Sequence, residues 1–131
     1  GHTKDKAFME DLKAMIPLLA SPETELKGKM ADKLSGGQRH QLALAMALAQ
    51  RPILLILDEP SAGLSPKSVE KMYEILSEVK KRTNVSIILI EQNINKAIQF
   101  CDRSLLLQQG TIAHEFLGKD KTEVESVMFN R

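Results

Sequence analysis

Two adjacent carboxylates, Asp58 and Glu59, directly follow the uninterrupted apolar run from Ile53 to Leu57. Such a run predicts a strand that is buried on both faces, as in a parallel sheet. Ligands of open α/β sheets bind at the carboxyl ends of the strands, and a hard cation needs oxygen ligands. The carboxylate pair is therefore a candidate ligand site, and a strand that simply ends in solvated acids is the alternative.

A second candidate site lies upstream, where residues 34–38 read Leu-Ser-Gly-Gly-Gln and open a helical pattern that Pro52 ends. Two glycines let backbone N–H groups approach a ligand without a Cβ in the way. The positive N-terminal end of the helix and the Ser35 hydroxyl make this an anion site suited to phosphate. The alternative is a Ser-capped helix behind a glycine turn.

Two shorter loops complete the candidates. Residues 61–66 read Ser-Ala-Gly-Leu-Ser-Pro, a turn in which Ser65 can cap a helix that begins at Pro66. Residues 91–93 read Glu-Gln-Asn and follow a second apolar run, Val85 to Ile90. Gln92 could donate a hydrogen bond to a ligand, or it could cap the next helix or face solvent.

Regular elements must position these loops, and their order indicates the fold class. The strand–helix–strand succession that begins at residue 53 is a βαβ unit with a right-handed crossover, which predicts a parallel sheet. Before residue 53 the expected elements are a helix over 4–20 that Pro17 kinks or divides, a turn or short helix that starts at 21–23, a loop or frayed turn over 26–33, and a helix that residues 34–38 open. From residue 53 onwards they are a strand over 53–57, a helix over 69–79, a strand over 85–90, a helix over 94–100, strands over 104–108 and 111–113, and a helix over 122–129 capped by Thr122.

The composition of the chain argues against several classes of function and site. The chain has 131 residues, a net charge of +1 and no basic block, so its electrostatics do not imply nucleic acid. Its apolar runs are far shorter than the ~20 residues of a membrane-spanning helix. Cys101 is alone, which excludes an internal disulfide and fits a reducing compartment. His40 and His114 have no second ligand at metal-binding spacing.

In this order the four motifs resemble those of the ABC ATPase family, over roughly residues 34–118. The resemblance implies an α/β fold with a partial P-loop NTPase-type parallel sheet. Residues 34–38 match the family's signature sequence, residues 54–60 its Walker B motif and residues 61–66 its D-loop. The resemblance assigns nucleotide binding to Ser35, Gly36, Gly37 and Gln38, a water-mediated Mg²⁺ contact to Asp58, and catalysis to Glu59, as the general base, and to Gln92.

Two positions depart from the family pattern. Ser65 stands where many members have Asp, which puts the strength of cross-dimer contacts through this loop in doubt. Gln92 stands where the family usually has the switch His that contacts the γ-phosphate, and an amide cannot be cationic. The run from Glu91 to Asn93, with Ala97 and Gly110 downstream, resembles the ATP-binding subunits of branched-chain amino-acid importers.

The resemblance also implies partners. ATP and Mg²⁺ would be bound between two ATPase subunits in a head-to-tail dimer, which is cytoplasmic and attached to the inner face of the cell membrane through transmembrane permease subunits. No stretch fits the P-loop pattern G-x-x-x-x-G-K-[ST]. We therefore expect residues 3–50 to be the end of the helical subdomain, with the signature loop and helix, and residues 51–131 to be the C-terminal part of the catalytic core. Residues 1–2, which precede the first helical stretch, are expected to be an expression scar.

Two other functions stay open on the sequence. DNA-repair and chromosome-maintenance ATPases carry these motifs in a C-terminal head lobe behind a long coiled coil, but the N-terminal helix here shows no sustained heptad. The chain could also be a binding or regulatory module without catalysis. The transported substrate is not encoded in these residues, because substrate selection lies in other subunits.

Overall fold

The computed structural model describes residues 2–20, 33–118 and 121–129. The turn or short helix predicted at residues 21–23, and residues 26–32 of the predicted loop or frayed turn, lie outside this part of the chain. The chain consists of two compact units, residues 1–90 and residues 91–131. None of the helices in the described residues has the length and apolar character needed to cross a membrane.

The first unit alternates helices with two strands. Its elements are α1 His2–Met15, α2 Pro17–Ala20, α3 Gly36–Ala49, β1 Leu54–Asp58, α4 Pro66–Arg82 and β2 Ser86–Ile90. Ile16 divides α1 from α2, as predicted, because the residue before a proline disfavours the helical conformation. The signature residues open α3, and Ser65 caps α4 with Pro66 as its first residue, which confirms both predicted helix starts.

The strands of the first unit are parallel, with Leu54 opposite Ser86 and Asp58 opposite Ile90. Helix α4 connects them, so the predicted βαβ unit is confirmed. Helix α4 also supplies much of the hydrophobic core through one apolar face, which comprises Val69, Met72, Tyr73, Ile75, Leu76 and Val79.

The prediction that both strands are buried on both faces is wrong. Leu55 is 6% exposed, whereas Ile56 beside it is 58% exposed and Ile88, its partner across the sheet, is 48% exposed. An apolar run shows that both faces of a strand suit burial, but burial also needs a packed layer on each side. Among the described residues of this unit, only one face of the sheet has such a layer.

The second unit is an antiparallel hairpin with helices on either side of it in the chain. Its elements are α5 Ile94–Phe100, β3 Arg103–Gln108, β4 Thr111–Leu117 and α6 Lys121–Phe129. Gln109 and Gly110 form the two-residue turn with φ of 49° and 78°, the backbone that a tight hairpin requires. Ile98, Phe116 and Val124 form the core of this unit.

Two predictions for the second unit need correction. Strand β4 runs to Leu117 rather than ending at Ala113, because it pairs with β3 as far as Arg103. Helix α6 begins at Lys121, so Thr122 lies inside the helix and cannot be its N-cap, which must have a non-helical backbone.

Candidate functional site

The signature loop, residues 34–38, is held by hydrogen bonds that its own side chains make. Ser35 has an extended backbone, and its Oγ accepts a hydrogen bond from the Gln38 N–H at 3.1 Å. The Gln38 Oε1 accepts in return from the Ser35 N–H, also at 3.1 Å. This reciprocal pair is a capping box, which satisfies two helix-start donors. Because a hydroxyl that accepts can still donate, the Ser35 proton can serve a ligand.

The first two N–H groups of α3 are the candidate anion donors. The Gln38 N–H is bonded to the Ser35 side chain, and the Arg39 N–H is bonded to the Ser35 carbonyl at 2.9 Å. Among the described residues, no hydrogen bond uses the N–H of Gly36 or Gly37. Donors at a helix start that lack an intrahelical acceptor, together with the helix dipole, make an anion-binding site.

The two signature glycines meet different surroundings, although neither has a positive φ. A Cβ added to Gly36 would lie 3.7 Å from the Leu64 Cδ2, which is an ordinary contact. A Cβ added to Gly37 would lie 2.8 Å from the Ser68 Oγ, closer than real Cβ atoms approach. A side chain at position 37 would therefore require Ser68 to shift, whatever the loop binds.

The Walker B carboxylates, Asp58 and Glu59, are exposed at the end of β1. Glu59 has a φ of 48°, a left-handed backbone that is uncommon for a residue with a side chain. Its N–H donates to the Ile90 carbonyl at 2.7 Å, and its carbonyl accepts from the Ala62 N–H at 3.1 Å. Main-chain bonds therefore keep Glu59 turned out of the strand direction at a cost of about 1–3 kcal/mol, a kind of strain that clusters at functional sites.

The turn of residues 61–65, where the D-loop was predicted, packs beside the signature loop. Ser65 Oγ accepts from the Ser68 N–H at 3.2 Å and donates to the Ser68 Oγ at 3.1 Å. Leu64 of this turn lies near Gly36, and Ser68, in the first turn of α4, lies near Gly37. Leu64 lies within the predicted D-loop, whereas Ser68 is not among the predicted site residues, since its spacing from Ser65 indicates only a helix cap.

Gln92 lies in the second unit and is exposed. Its N–H and that of Asn93 donate to the Glu91 Oε1 at 3.1 Å and 3.4 Å. Asn93, the N-cap residue of α5, makes no side-chain capping bond. The amide side chain of Gln92 is thus not used in capping, and its role as a switch residue stays a prediction.

The charged groups limit which cation the site could hold. In residues 2–20, 33–118 and 121–129, no group of three His, Cys, Asp or Glu side chains is arranged to hold a metal ion. Asp58 could therefore contribute to a Mg²⁺ site only together with ligands from elsewhere. That requirement fits Mg²⁺, which is usually bound by one or two carboxylates, waters and substrate phosphates.

Burial lowers the pKa of His40 on α3, which favours neutral imidazole close to the signature loop.

A family model described as ABC transporter matches residues 3–62. The high-affinity branched-chain amino acid transport ATP-binding protein BraG of Pseudomonas aeruginosa is 42% identical over 82 residues, or 63% of this chain and 35% of BraG. A probable branched-chain amino acid transport ATP-binding protein, LivF of Archaeoglobus fulgidus, is 35% identical over 128 residues, or 95% of this chain and 53% of LivF. Relatives named for phosphonate import and for energy-coupling factor transporters match at 32% and 36% identity.

Solved structures show the same fold. The structure of cbiO1 from Clostridium perfringens, part of the ABC transporter complex cbiONQ, is similar to this chain. The matched region covers all of this chain and 53% of the cbiO1 chain. Its TM-score is 0.74 at 26% identity. The expected α/β fold, part of an ABC ATPase cassette, is therefore confirmed.

Motifs, fold and relatives agree, and the chain belongs to the ABC transporter ATP-binding family. It spans about a third to a half of the length of the curated relatives BraG and LivF.

Proposed function

We propose that this chain is the part of an ATPase subunit that carries the signature loop and the Walker B motif, and that the subunit powers solute transport across a membrane. One observation carries the proposal. A glycine-opened helix start with two available N–H donors and a strand that ends in exposed carboxylates occur in one compact unit. The names of the relatives BraG and LivF, both transport ATP-binding proteins, support the same conclusion.

The signature loop would bind the γ-phosphate of ATP. The N–H groups of Gly36 and Gly37 and the hydroxyl of Ser35 are neutral donors at the positive end of α3. The Gln38 side chain would act indirectly, because it is bonded to the Ser35 N–H and thereby holds the loop in shape.

Glu59 would take the proton from the attacking water. Its carboxylate is exposed, and among the described residues no hydrogen bond or ion pair occupies it. Asp58 would hold Mg²⁺, which when bound supplies positive charge against the phosphates. Gln92 would contact the γ-phosphate as a neutral amide donor.

The complete site would need a P-loop, which this chain's sequence does not contain. In the proposed assembly the P-loop of one subunit faces the signature loop of a second subunit, so that two chains form each ATP site. Transmembrane permease subunits would attach this dimer to the cytoplasmic face of the membrane. The names of BraG and LivF favour branched-chain amino acids as the imported solutes.

Calorimetric titration with Mg-ATP tests the ATPase proposal. The chain alone should show no micromolar affinity, because its few hydrogen bonds contribute about 0.5–1.5 kcal/mol each against an association cost of at least ~4 kcal/mol. A subunit that contains this chain together with a P-loop segment, here called the P-loop-containing subunit, should bind and hydrolyse ATP. Micromolar affinity in the chain alone, or an inactive P-loop-containing subunit, would contradict the proposal.

Uptake measurements test the solute. The P-loop-containing subunit is expressed with candidate permease subunits, and uptake of radiolabelled leucine is compared with uptake of a phosphonate. We expect ATP-dependent uptake of leucine and none of the phosphonate. The reverse result would exclude branched-chain amino acids while leaving the ATPase proposal intact.

A further inference from the structure

We propose that Ser68 is a positioning residue for the signature loop, and that Gly37 must be glycine because Ser68 occupies the place of its Cβ. The inference rests on the proposed function, since it concerns how the candidate phosphate-binding loop is held. It adds a residue outside the motifs that the sequence identifies.

Gly37 and Ser68 are too close together to accommodate a side chain at position 37. A Cβ on Gly37 would lie 2.8 Å from the Ser68 Oγ and 3.3 Å from the Ser68 Cβ. Rotation of the Ser68 side chain would relieve the first contact but not the second. Because Gly37 has no positive φ, the demand for glycine at this position is one of space and not of backbone conformation.

Ser68 is itself held in place by Ser65. Its N–H donates to the Ser65 Oγ at 3.2 Å, and its Oγ accepts from the Ser65 hydroxyl at 3.1 Å. The Val69 N–H is bonded to the Ser65 carbonyl at 2.9 Å, so the whole first turn of α4 is anchored. Moving Ser68 away from Gly37 would therefore break the cap of α4.

Gly36 provides an internal comparison. A Cβ there would make only an ordinary contact, 3.7 Å from the Leu64 Cδ2. If approach to a phosphate were the sole reason for glycine, both positions should be sensitive to alanine. If Ser68 sets the constraint, only Gly37 should be sensitive, and its sensitivity should depend on Ser68.

The consequence is mechanical coupling of two loops within one chain. The turn of residues 61–65 leads directly into the first turn of α4, and the first turn of α4 abuts the start of α3. A displacement of that turn would shift the N–H groups of Gly36 and Gly37. Ser68 would thus transmit the position of the D-loop segment to the donors that face the phosphate.

The first test uses thermal unfolding of the chain itself and does not depend on ATP. Gly37→Ala should lower Tm by about 4–8 °C, because the added methyl group would overpack the contact with Ser68 in a unit of the size of residues 1–90. Gly36→Ala should leave Tm unchanged or raise it, because alanine is the better helix former. In the presence of Ser68→Gly, Gly37→Ala should lower Tm far less; strictly additive shifts would overturn the proposal.

The second test measures steady-state ATP hydrolysis by the P-loop-containing subunit. Gly37→Ala should reduce kcat by between about tenfold and 10²-fold, as small misplacements of catalytic groups do. Ser68→Gly should restore much of that loss, and Ser68→Ala only part of it, because alanine keeps the Cβ that lies 3.3 Å from the position of the added methyl group. Gly36→Ala should have a smaller effect than Gly37→Ala. A Gly37→Ala defect that neither Ser68 variant relieves would overturn the positioning role.

The two tests separate the two proposals. If the proposed ATPase function is wrong, the unmutated P-loop-containing subunit is inactive, yet the unfolding temperatures still show the coupling between Gly37 and Ser68. If only the positioning role is wrong, the subunit hydrolyses ATP and both sets of double variants are additive.

Discussion

The signature loop and the end of β1 belong to the same compact unit but are held by different means. Ser35 and Gln38 fix the start of α3 through their side chains. Glu59 is fixed through its main chain, by a left-handed backbone and by hydrogen bonds to Ile90 and Ala62. The side chains of Ser35 and Gln38 therefore stabilise the loop that carries them, whereas the Glu59 carboxylate is not needed to hold its own backbone and stays available for chemistry.

This difference predicts which property each substitution changes. A change of side chain at Ser35 should alter the stability of the fold. A change of side chain at Glu59 should alter catalysis with little effect on stability, unless the new residue also changes the backbone preference.

The largest expected effect belongs to the Glu59 carboxylate. Glu59→Gln in the P-loop-containing subunit should reduce ATP turnover by ~10²–10⁴-fold, because the amide cannot accept the proton from water. ATP binding should persist, and Tm should not change. Glu74→Gln, at an exposed position on α4, is the matched control and should retain normal turnover. Normal hydrolysis by Glu59→Gln would rule out the base role.

Removal of the signature cap should lower stability. Ser35→Ala should reduce the free energy of unfolding of the chain by about 1 kcal/mol, because it leaves the Gln38 N–H without its acceptor. Urea denaturation followed by circular dichroism measures this change. Ser35→Asn is the control, since asparagine caps helices well and should preserve stability. Equal stability of the alanine and wild-type chains would show that the cap contributes nothing.

Gln92 should have a smaller effect on turnover than Glu59. A neutral hydrogen bond contributes about 0.5–1.5 kcal/mol, so Gln92→Ala in the P-loop-containing subunit should reduce turnover by roughly 2–10-fold. The affinity for ADP should not change, because ADP has no γ-phosphate. Gln92→His should be tolerated, and Asn93→Ala serves as the neighbouring control. Full activity of Gln92→Ala in steady-state assays would exclude a switch role.

The smallest expected effect tests the backbone at Glu59. Glu59→Gly should raise the free energy of unfolding by up to about 1 kcal/mol, since glycine adopts a positive φ without steric penalty. Glu59→Ala should give no such gain. Chemical denaturation of the two variants side by side makes the comparison. Equal stability of both would mean that the left-handed backbone is not strained.

Several features follow from local patterns and were predictable from the sequence. The caps at Ser35 and Ser65 depend on residues within one helical turn, and both are confirmed. The parallel βαβ unit follows from two apolar runs and the amphipathic helix between them. The family follows from motif order. Local hydrogen bonding determines the caps, and hydrophobic periodicity indicates the strands and the helix, because each of these signals lies within one element of the chain.

Other features depend on contacts between segments that are distant in the chain. Which face of β1 is buried depends on the layers that pack against it, and apolar residues alone do not show this. The left-handed backbone of Glu59 is accompanied by its bond to the Ile90 carbonyl, at the end of the neighbouring strand. The contact of Gly37 with Ser68 exists only because α3 and α4 pack together. The sequence indicates which residues suit each element, but the tertiary packing decides which atoms of different elements meet.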